Sequence, residues 1–509
     1  MDRKIIFVLI GNALVAFTFT FALPVVYAAG FMRSVFVTVF FLALAAVVAF
    51  VGKTFVRLGR RHRRRLPLLE SAVAMLLIFP LVAAFGALPF YLSSWLPPLD
   101  AFLETVSDLT TAGISLLSAR APYVLRLWQS ALMWYGALVF LVMLVTMMPE
   151  VSGNFGMELS LQDGQNLSPR FSQMNLMAQR VAKVYAGLTV LSAGVFRLAG
   201  LSGWDSLLLA MRCISTGGGN FFPARGNVLV EYAAIFSMLL ACGNFLFYYR
   251  LAVTLPPTAG NRKENILRRG ISYVKTLRKN FVGNVKHFYG NTEVKVITAI
   301  IFIGAGIIFL SSYRRGLLVD YGAGFRYALF HVVSFLSTTG INLTPLEKAH
   351  DFDRFFIFLL AMFGGCMGSV TGGLKMIRVV VLAKLMAAEL TKVMHPRMVT
   401  SIRVNDFAVP PKIIGRILGF FFLSALTLFI CSAVLSFMGP KFSEAVALSV
   451  ACLTNVGVLP GICDAATFSS LPAAGKIFCV LILIAGRLEI FAMLVAVAGL
   501  VSRRNFKEW

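Results

Sequence analysis

Four short runs in the 509-residue chain join hydroxyl side chains to glycine: Leu109-Thr110-Thr111-Ala112-Gly113, Ile214-Ser215-Thr216-Gly217-Gly218, Leu336-Ser337-Thr338-Thr339-Gly340 and Leu453-Thr454-Asn455-Val456-Gly457. What these runs offer is oxygen. Main-chain carbonyls can be turned to one side by a glycine that accepts backbone angles other residues resist, and Thr and Ser hydroxyls lie beside them. Uncharged oxygen is suited to dehydrating a cation. Stripping an ion of water costs tens of kcal/mol in the Born limit, and a ring of carbonyls can replace the lost shell. One such run reads most simply as a turn between helices. Four in one register, at steps of 105, 122 and 117 residues, read as an internal repeat.

The elements that position these runs must sit in lipid. The chain is 58% hydrophobic and only 14% charged, with mean hydropathy +0.82. Soluble domains carry about 25% charged residues, so the composition specifies a polytopic membrane protein. Ten crossings of about 20 apolar residues are predicted near 5–29, 31–52, 66–92, 127–148, 181–200, 229–250, 294–313, 355–386, 413–437 and 474–500. The first resembles a signal peptide, with Val26-Tyr27-Ala28-Ala29 like a cleavage site, but it is long for one and reads as a span. After the third, fifth, seventh and ninth crossings comes a stretch too short to cross, ending in one of the glycine runs. Its loop backbone is tolerable at membrane depth only if protein encloses it or it lines water. Four such half-helices can share one axis. Each C-terminal end carries roughly −0.5 charge, which favours a cation over an anion.

The expected fold is therefore all-α: four helix, half-helix, loop, helix units round one pore, with two extra helices in front. The units divide as 1–65 (the extra helices and a basic loop), 66–150, 151–255, a basic insert at 256–291, 292–395 and 396–509. The formal net charge of +25 suggests nucleic acid in a soluble protein. Here the basic residues read as orientation signals. Arg57, Arg60, Arg61, Arg63, Arg64 and Arg65 lie in one loop, and Lys263, Arg268, Arg269, Lys275, Arg278, Lys279 and Lys286 in another. Both fall on the side of the termini, where Arg3, Lys4, Arg503 and Arg504 lie, and that side is predicted to be cytoplasmic.

The eighth crossing is interrupted by Gly364-Gly365-Cys366-Met367-Gly368-Ser369-Val370-Thr371-Gly372-Gly373. Five glycines in ten residues, each costing about 1 kcal/mol against Ala, break the helix there. Lys375, Arg378 and Arg487 are cations in apolar surroundings, where charge usually faces a cavity or a partner. Arg378 can equally snorkel at a helix end. Arg487 can equally be half of a buried ion pair, although Glu489, two residues on, is a poor local partner. Asp108 adds a carboxylate near the first glycine run, yet it and Asp205 read as peripheral to mid-membrane. The seven cysteines are scattered, without CxxC, and suggest neither disulfides nor zinc. His62, His287, His331, His350 and His395 make no HxxxH or HxxxD set, so a membrane-embedded enzyme is a remote alternative. No phosphate-binding loop is present.

In these runs the chain resembles the TrkH/TrkG/KtrB superfamily of potassium transporters, relatives of plant and fungal Trk/HKT proteins. Further matching stretches are 168–190, Gly243-Asn244-Phe245, Gly364 through Lys375, and Gly486-Arg487-Leu488-Glu489-Ile490-Phe491. The two extra N-terminal helices place the likeness nearest the TrkH branch. The resemblance implies potassium uptake driven by membrane potential. It makes Gly113, Gly218, Gly340 and Gly457 the filter glycines, with the hydroxyl and carbonyl oxygens of the residues before them contacting potassium. It implies a gate formed by Gly364, Gly365, Gly368, Ser369, Thr371, Gly372, Gly373 and Lys375, with Arg487 beneath the filter as an electrostatic barrier. It further implies a homodimer in the bacterial inner membrane and a cytoplasmic TrkA-like RCK/KTN subunit that carries any nucleotide, the chain itself needing no cofactor. Gly113 argues for potassium, since Ser there accompanies sodium preference in HKT relatives. Ala112, Gly219 and Val458 depart from the usual Thr, Phe and Pro, so a sodium-permeable or nonselective transporter of the same fold is the alternative.

Overall fold

The computed structural model describes residues 3–59, 68–146, 171–248, 290–315, 320–343, 350–398 and 401–501, less positions 119, 220, 246, 406 and 460. The basic run 60–65, most of the 256–291 insert, Ser168-Pro169-Arg170, and Arg503 and Arg504 lie outside the described residues.

Seven described helical stretches are long and apolar enough to cross a membrane: Lys4–Met32, Val35–Gly59, Ala72–Leu92, Tyr123–Leu144, Ala178–Leu198, Thr292–Arg314 and Pro411–Phe437. Two predicted crossings, the sixth and the tenth, differ, and the eighth is broken where expected. The sixth is a 15-residue helix, Val228–Cys242, that stops at Gly243. The eighth is two helices, α1 (Asp351–Phe363) and α2 (Met376–Met394), on either side of the glycine-rich segment. The tenth, predicted as continuous, is bent by 107° between α3 (Ala473–Leu488) and α4 (Ile490–Val501). No glycine or proline stands at that bend. Glu489 makes it with left-handed angles, φ 62° and ψ 137°.

The four half-helices are α5 (Pro98–Leu109), α6 (Gly203–Ser215), α7 (Tyr321–Leu336) and α8 (Phe442–Leu453). Local chemistry fixes their starts. Pro98 stands in the first turn of α5, where its missing N–H costs nothing. Ser202 accepts the Asp205 N–H before α6, and Asp320 accepts the Gly322 N–H before α7. The Lys441 N–H donates to Glu444 at α8.

The two N-terminal helices meet through small residues. A Cβ at Gly11 would lie 2.8 Å from the Gly52 carbonyl oxygen, so only glycine allows that approach. They are anchored to the first unit by Phe17, Phe21, Phe41 and Trp128, whose rings lie 4.5–6.4 Å apart. The Trp128 indole donates to the Gly86 carbonyl at 3.0 Å, and the Tyr135 hydroxyl to that of Ala13 at 2.6 Å.

Each joint between units carries a polar tie. Tyr123 donates to Asp205 (2.7 Å, first to second unit), Arg326 pairs with Glu231 (2.6 Å, third to second), Arg378 with Glu489 (2.9 Å, third to fourth) and Lys476 with Asp100 (2.6 Å, fourth to first). The units thus close into a circuit. Apart from a two-residue antiparallel ribbon, Arg403–Val404 with Phe407–Ala408, every described element is helical.

Candidate functional site

All four half-helices end in the same way. The residue two before each key glycine is left-handed: Thr111 (φ 59°), Thr216 (57°), Thr338 (54°) and Asn455 (52°). Its N–H bonds three residues back, to Asp108, Cys213, Phe335 and Cys452. The next N–H reaches five residues back, from Ala112 to Ser107, Gly217 to Arg212, Thr339 to Ser334 and Val456 to Ala451, at 2.8–3.1 Å. This is a Schellman end, with Thr or Asn where glycine is usual. A β-branched residue in that conformation costs about 1–3 kcal/mol and persists only where its surroundings over-determine it. The glycines that follow are left-handed too: Gly113 (73°), Gly218 (48°), Gly340 (71°) and Gly457 (79°).

The four runs converge. A Cβ on Gly113 would fall on the carbonyl oxygen of Gly217, one on Gly218 on that of Thr339, one on Gly340 on that of Val456, and one on Gly457 on that of Ala112. Each loop lies backbone to backbone against the next, and the fourth returns to the first. At the left-handed position, Thr111 Oγ1, Thr216 Oγ1 and Asn455 Oδ1 are buried and have no hydrogen-bond partner among the described residues. The fourth equivalent oxygen, Thr338 Oγ1, accepts the Gly372 N–H at 2.9 Å.

A second layer braces the loops from behind. Ser107 Oγ accepts the Ile114 N–H, and Ser334 Oγ donates to the Ile341 carbonyl, both at 2.7 Å. One helix turn further back, Glu104 accepts the Leu116 N–H at 2.6 Å and His331 meets Asn342 at 2.8 Å. The second loop is held instead by Arg212, which donates to the Gly218 carbonyl at 3.1 Å. The fourth is tied by Asn455 Nδ2 to the Leu483 carbonyl at 3.1 Å.

The glycine-rich segment packs directly against this ring. Besides the Gly372–Thr338 bond, a Cβ at Gly372 would fall on the Thr454 carbonyl oxygen. Gly364 (φ 74°), Gly368 (81°), Gly373 (74°) and Lys375 (63°) are left-handed, so the segment is a folded loop. The Lys375 ammonium closes it, donating to the carbonyls of Thr371 (2.5 Å) and Ser369 (3.1 Å). Thr371 Oγ1 also accepts the Gly365 N–H at 3.0 Å. From outside, Glu293 accepts the Met367 N–H and the Cys242 carbonyl accepts that of Cys366.

Arg487 lies on α3, 2% exposed. Its Nη1 donates to the Val370 carbonyl at 2.8 Å and its guanidinium sits 4.0 Å from the Phe140 ring centre. Nε and Nη2 have no partner among the described residues, and no carboxylate there pairs with it. The nearby carboxylate, Glu489, is taken by Arg378.

Two expectations are corrected. Arg378 does not snorkel. It is 2% exposed, its Nη2 donates to both Glu489 carboxylate oxygens at 2.9 Å, and its guanidinium lies 4.0 Å from the Phe420 ring centre. Asp108 is not peripheral but fully buried at the end of α5. Asp205 is at an end, as expected, in the first turn of α6. The reading of residue types missed Glu104, Gln129 and Arg212. For Arg212 the available signal was a charge in the last turn of a half-helix destined for membrane depth. Among the described residues no three His, Cys, Asp or Glu gather as a metal site, and all seven cysteines are free and buried.

A closed ring of loops in a multi-pass helical protein marks the chain as a membrane transport protein. Residues 69–508 match the model of the TrkH family, described as a cation transport protein, and the chain belongs to that family. Its relatives are transporters rather than enzymes. It is 27% identical over 511 residues to the Trk system potassium uptake protein TrkH of Halomonas elongata, covering 97% of this chain and 98% of that one. The Escherichia coli K12 protein of the same name is 27% identical, covering 96% of both. The crystal structure of the potassium transporter TrkH from Vibrio parahaemolyticus superposes with a TM-score of 0.81 at 24% identity, over 99% of both chains, and shares the fold.

Proposed function

We propose that this chain takes up potassium through the ring formed by residues 110–113, 215–218, 337–340 and 454–457, with the membrane potential as driving force. The observation that carries this is the set of orphaned oxygens. Three of four equivalent buried side-chain oxygens lack a hydrogen-bond partner among the described residues, inside a closed circuit of left-handed backbone. A buried polar oxygen left unsatisfied costs about 1–3 kcal/mol, and a dehydrated cation at that level satisfies several at once. The inside-negative potential supplies about 2.3 kcal/mol per charge per 100 mV.

The segment 364–375 and Arg487 act as the gate. In the closed arrangement the Gly372 N–H occupies the Thr338 oxygen that an ion would otherwise use. The Arg487 charge is bound to the same segment through Val370. Opening requires this segment to leave the ring.

The protein works in the bacterial inner membrane with both termini in the cytoplasm, as a homodimer under a nucleotide-binding cytoplasmic subunit. The relatives' names refer to a Trk system. The exposed stripe Met386, Leu390, Val393 and Met394 on α2, at helical spacing, supplies an apolar face for self-association. Reconstitution into liposomes tests the reading. Potassium and rubidium should enter down an imposed potential and sodium much less. Equal entry of sodium makes the chain a nonselective relative, and no cation entry refutes the pathway.

A further inference from the structure

The ring is near-symmetric in backbone but not in charge. Six residues before the key glycine stand Ser107, Arg212, Ser334 and Ala451. Five before stand Asp108, Cys213, Phe335 and Cys452. One unit carries a cation at this depth, its neighbour an anion, and the other two neither.

Arg212 is fully engaged. Its Nε donates to Ser130 Oγ at 2.8 Å, Nη2 to Gln129 Oε1 at 3.1 Å and Nη1 to the Gly218 carbonyl at 3.1 Å. Gln129 in turn donates to Glu104. A guanidinium on a ring carbonyl draws electron density from that oxygen and places a full positive charge behind the path of a cation. Taken alone, Arg212 opposes the ring's work.

Asp108 is the reverse case. It is fully buried, and neither carboxylate oxygen has a hydrogen-bond partner among the described residues. It holds no element in place through its side chain. It lies within electrostatic reach of Arg212 and Glu104. Its own carbonyl accepts the Thr111 N–H at 3.0 Å, so it sits immediately behind the first loop. A buried carboxyl without hydrogen bonds, with a second carboxylate, Glu104, nearby, stays ionised only where positive charge offsets that cost. The positive charges available are Arg212 and an ion in the ring.

We propose that Asp108 is an affinity-determining residue for the transported monovalent cation: its carboxylate offsets Arg212 across the first and second loops and restores the ring's attraction for the ion. The inference rests on the reading of the ring as the ion path. It adds a charge pair, one partner on each of two adjacent half-helices, to the main-chain oxygens that the four units share.

The test is rubidium uptake by proteoliposomes over a range of rubidium concentrations. Asp108→Asn keeps the shape and breaks no hydrogen bond to protein. Unit charges at an effective dielectric near 20 and a separation of ~10 Å imply an apparent KM raised about tenfold, with maximal rate per folded transporter little changed. Asp108→Glu should stay near wild type. Arg212→Gln should move KM the opposite way, and the double variant should return toward wild type. An unchanged KM in Asp108→Asn, or Asp108→Glu no better than Asn, overturns the proposal. If Asp108→Asn does not fold, Arg212→Gln decides by sign, since a KM that fails to fall there also overturns it. Absence of rubidium uptake by the wild-type protein refutes instead the ion path on which the inference rests.

Discussion

Replacing Arg487 by Ala separates a barrier from a structural ion pair. In a structural pair, removing one partner strands a buried opposite charge and costs about 3–5 kcal/mol. No carboxylate among the described residues pairs with Arg487. What it gives up is one charge-assisted bond to Val370 and a stack on Phe140. The bond is worth about 1.5–3 kcal/mol and the stack about 0.5–2 kcal/mol. The two orphaned nitrogens disappear with it, relieving about 1–3 kcal/mol of unsatisfied burial. The net change in folding stability is therefore small. The effect on an ion is not. A unit positive charge about 8 Å from a cation, at an effective dielectric near 20, opposes it by about 2 kcal/mol, which corresponds to roughly thirtyfold in rate. Basal rubidium flux into liposomes should rise by about that factor, with Arg487→Lys intermediate because the charge stays and the Val370 geometry is lost. Well-folded Arg487→Ala protein with unchanged or lower flux refutes the barrier.

Other outcomes follow from the same contacts. Lys375→Met removes the ammonium that closes the glycine-rich segment through Ser369 and Thr371, and basal flux should rise severalfold; an unchanged flux contradicts the gate. Gly340→Ser drives a Cβ against the Val456 carbonyl, so potassium-over-sodium discrimination should fall severalfold while some cation flux persists; intact discrimination removes the third loop from the path. Glu489→Gln breaks the buried pair with Arg378 and should destabilise the protein by about 3–5 kcal/mol, read as a lower thermal unfolding midpoint in detergent. The seven buried thiols should resist maleimide until the protein is denatured; labelling of the native protein at these positions contradicts their burial.

The ring was legible because its chemistry leaves a mark at every copy. A Schellman end followed by a left-handed glycine requires a short polar run closed by Gly, and the chain repeats that run four times. The broken eighth crossing was legible for a related reason, since five glycines in ten residues cannot propagate a helix. The bend at Glu489 was not. Leu488-Glu489-Ile490 contains no helix breaker, and the left-handed angle there is stabilised by a partner, Arg378, 111 residues away in sequence. Arg378 itself looked like a helix-end cation because its partner was invisible in one dimension. Arg212 escaped notice, and Asp108 read as peripheral, for the opposite reason. They lie in stretches where the conspicuous signal is the neighbouring glycine run, and their burial exists only once the half-helices are enclosed by the spanning helices. Pairing between units is tertiary information that local periodicity does not contain.

The central claim is that the oxygens of four converging loops replace the hydration shell of a monovalent cation. Anomalous diffraction from crystals grown with thallium or rubidium tests it directly. The account predicts peaks on the shared axis, within coordination distance of the Thr111, Thr216 and Asn455 side-chain oxygens and the adjoining carbonyls. Peaks confined to other parts of the molecule, with none between the loops, contradict it.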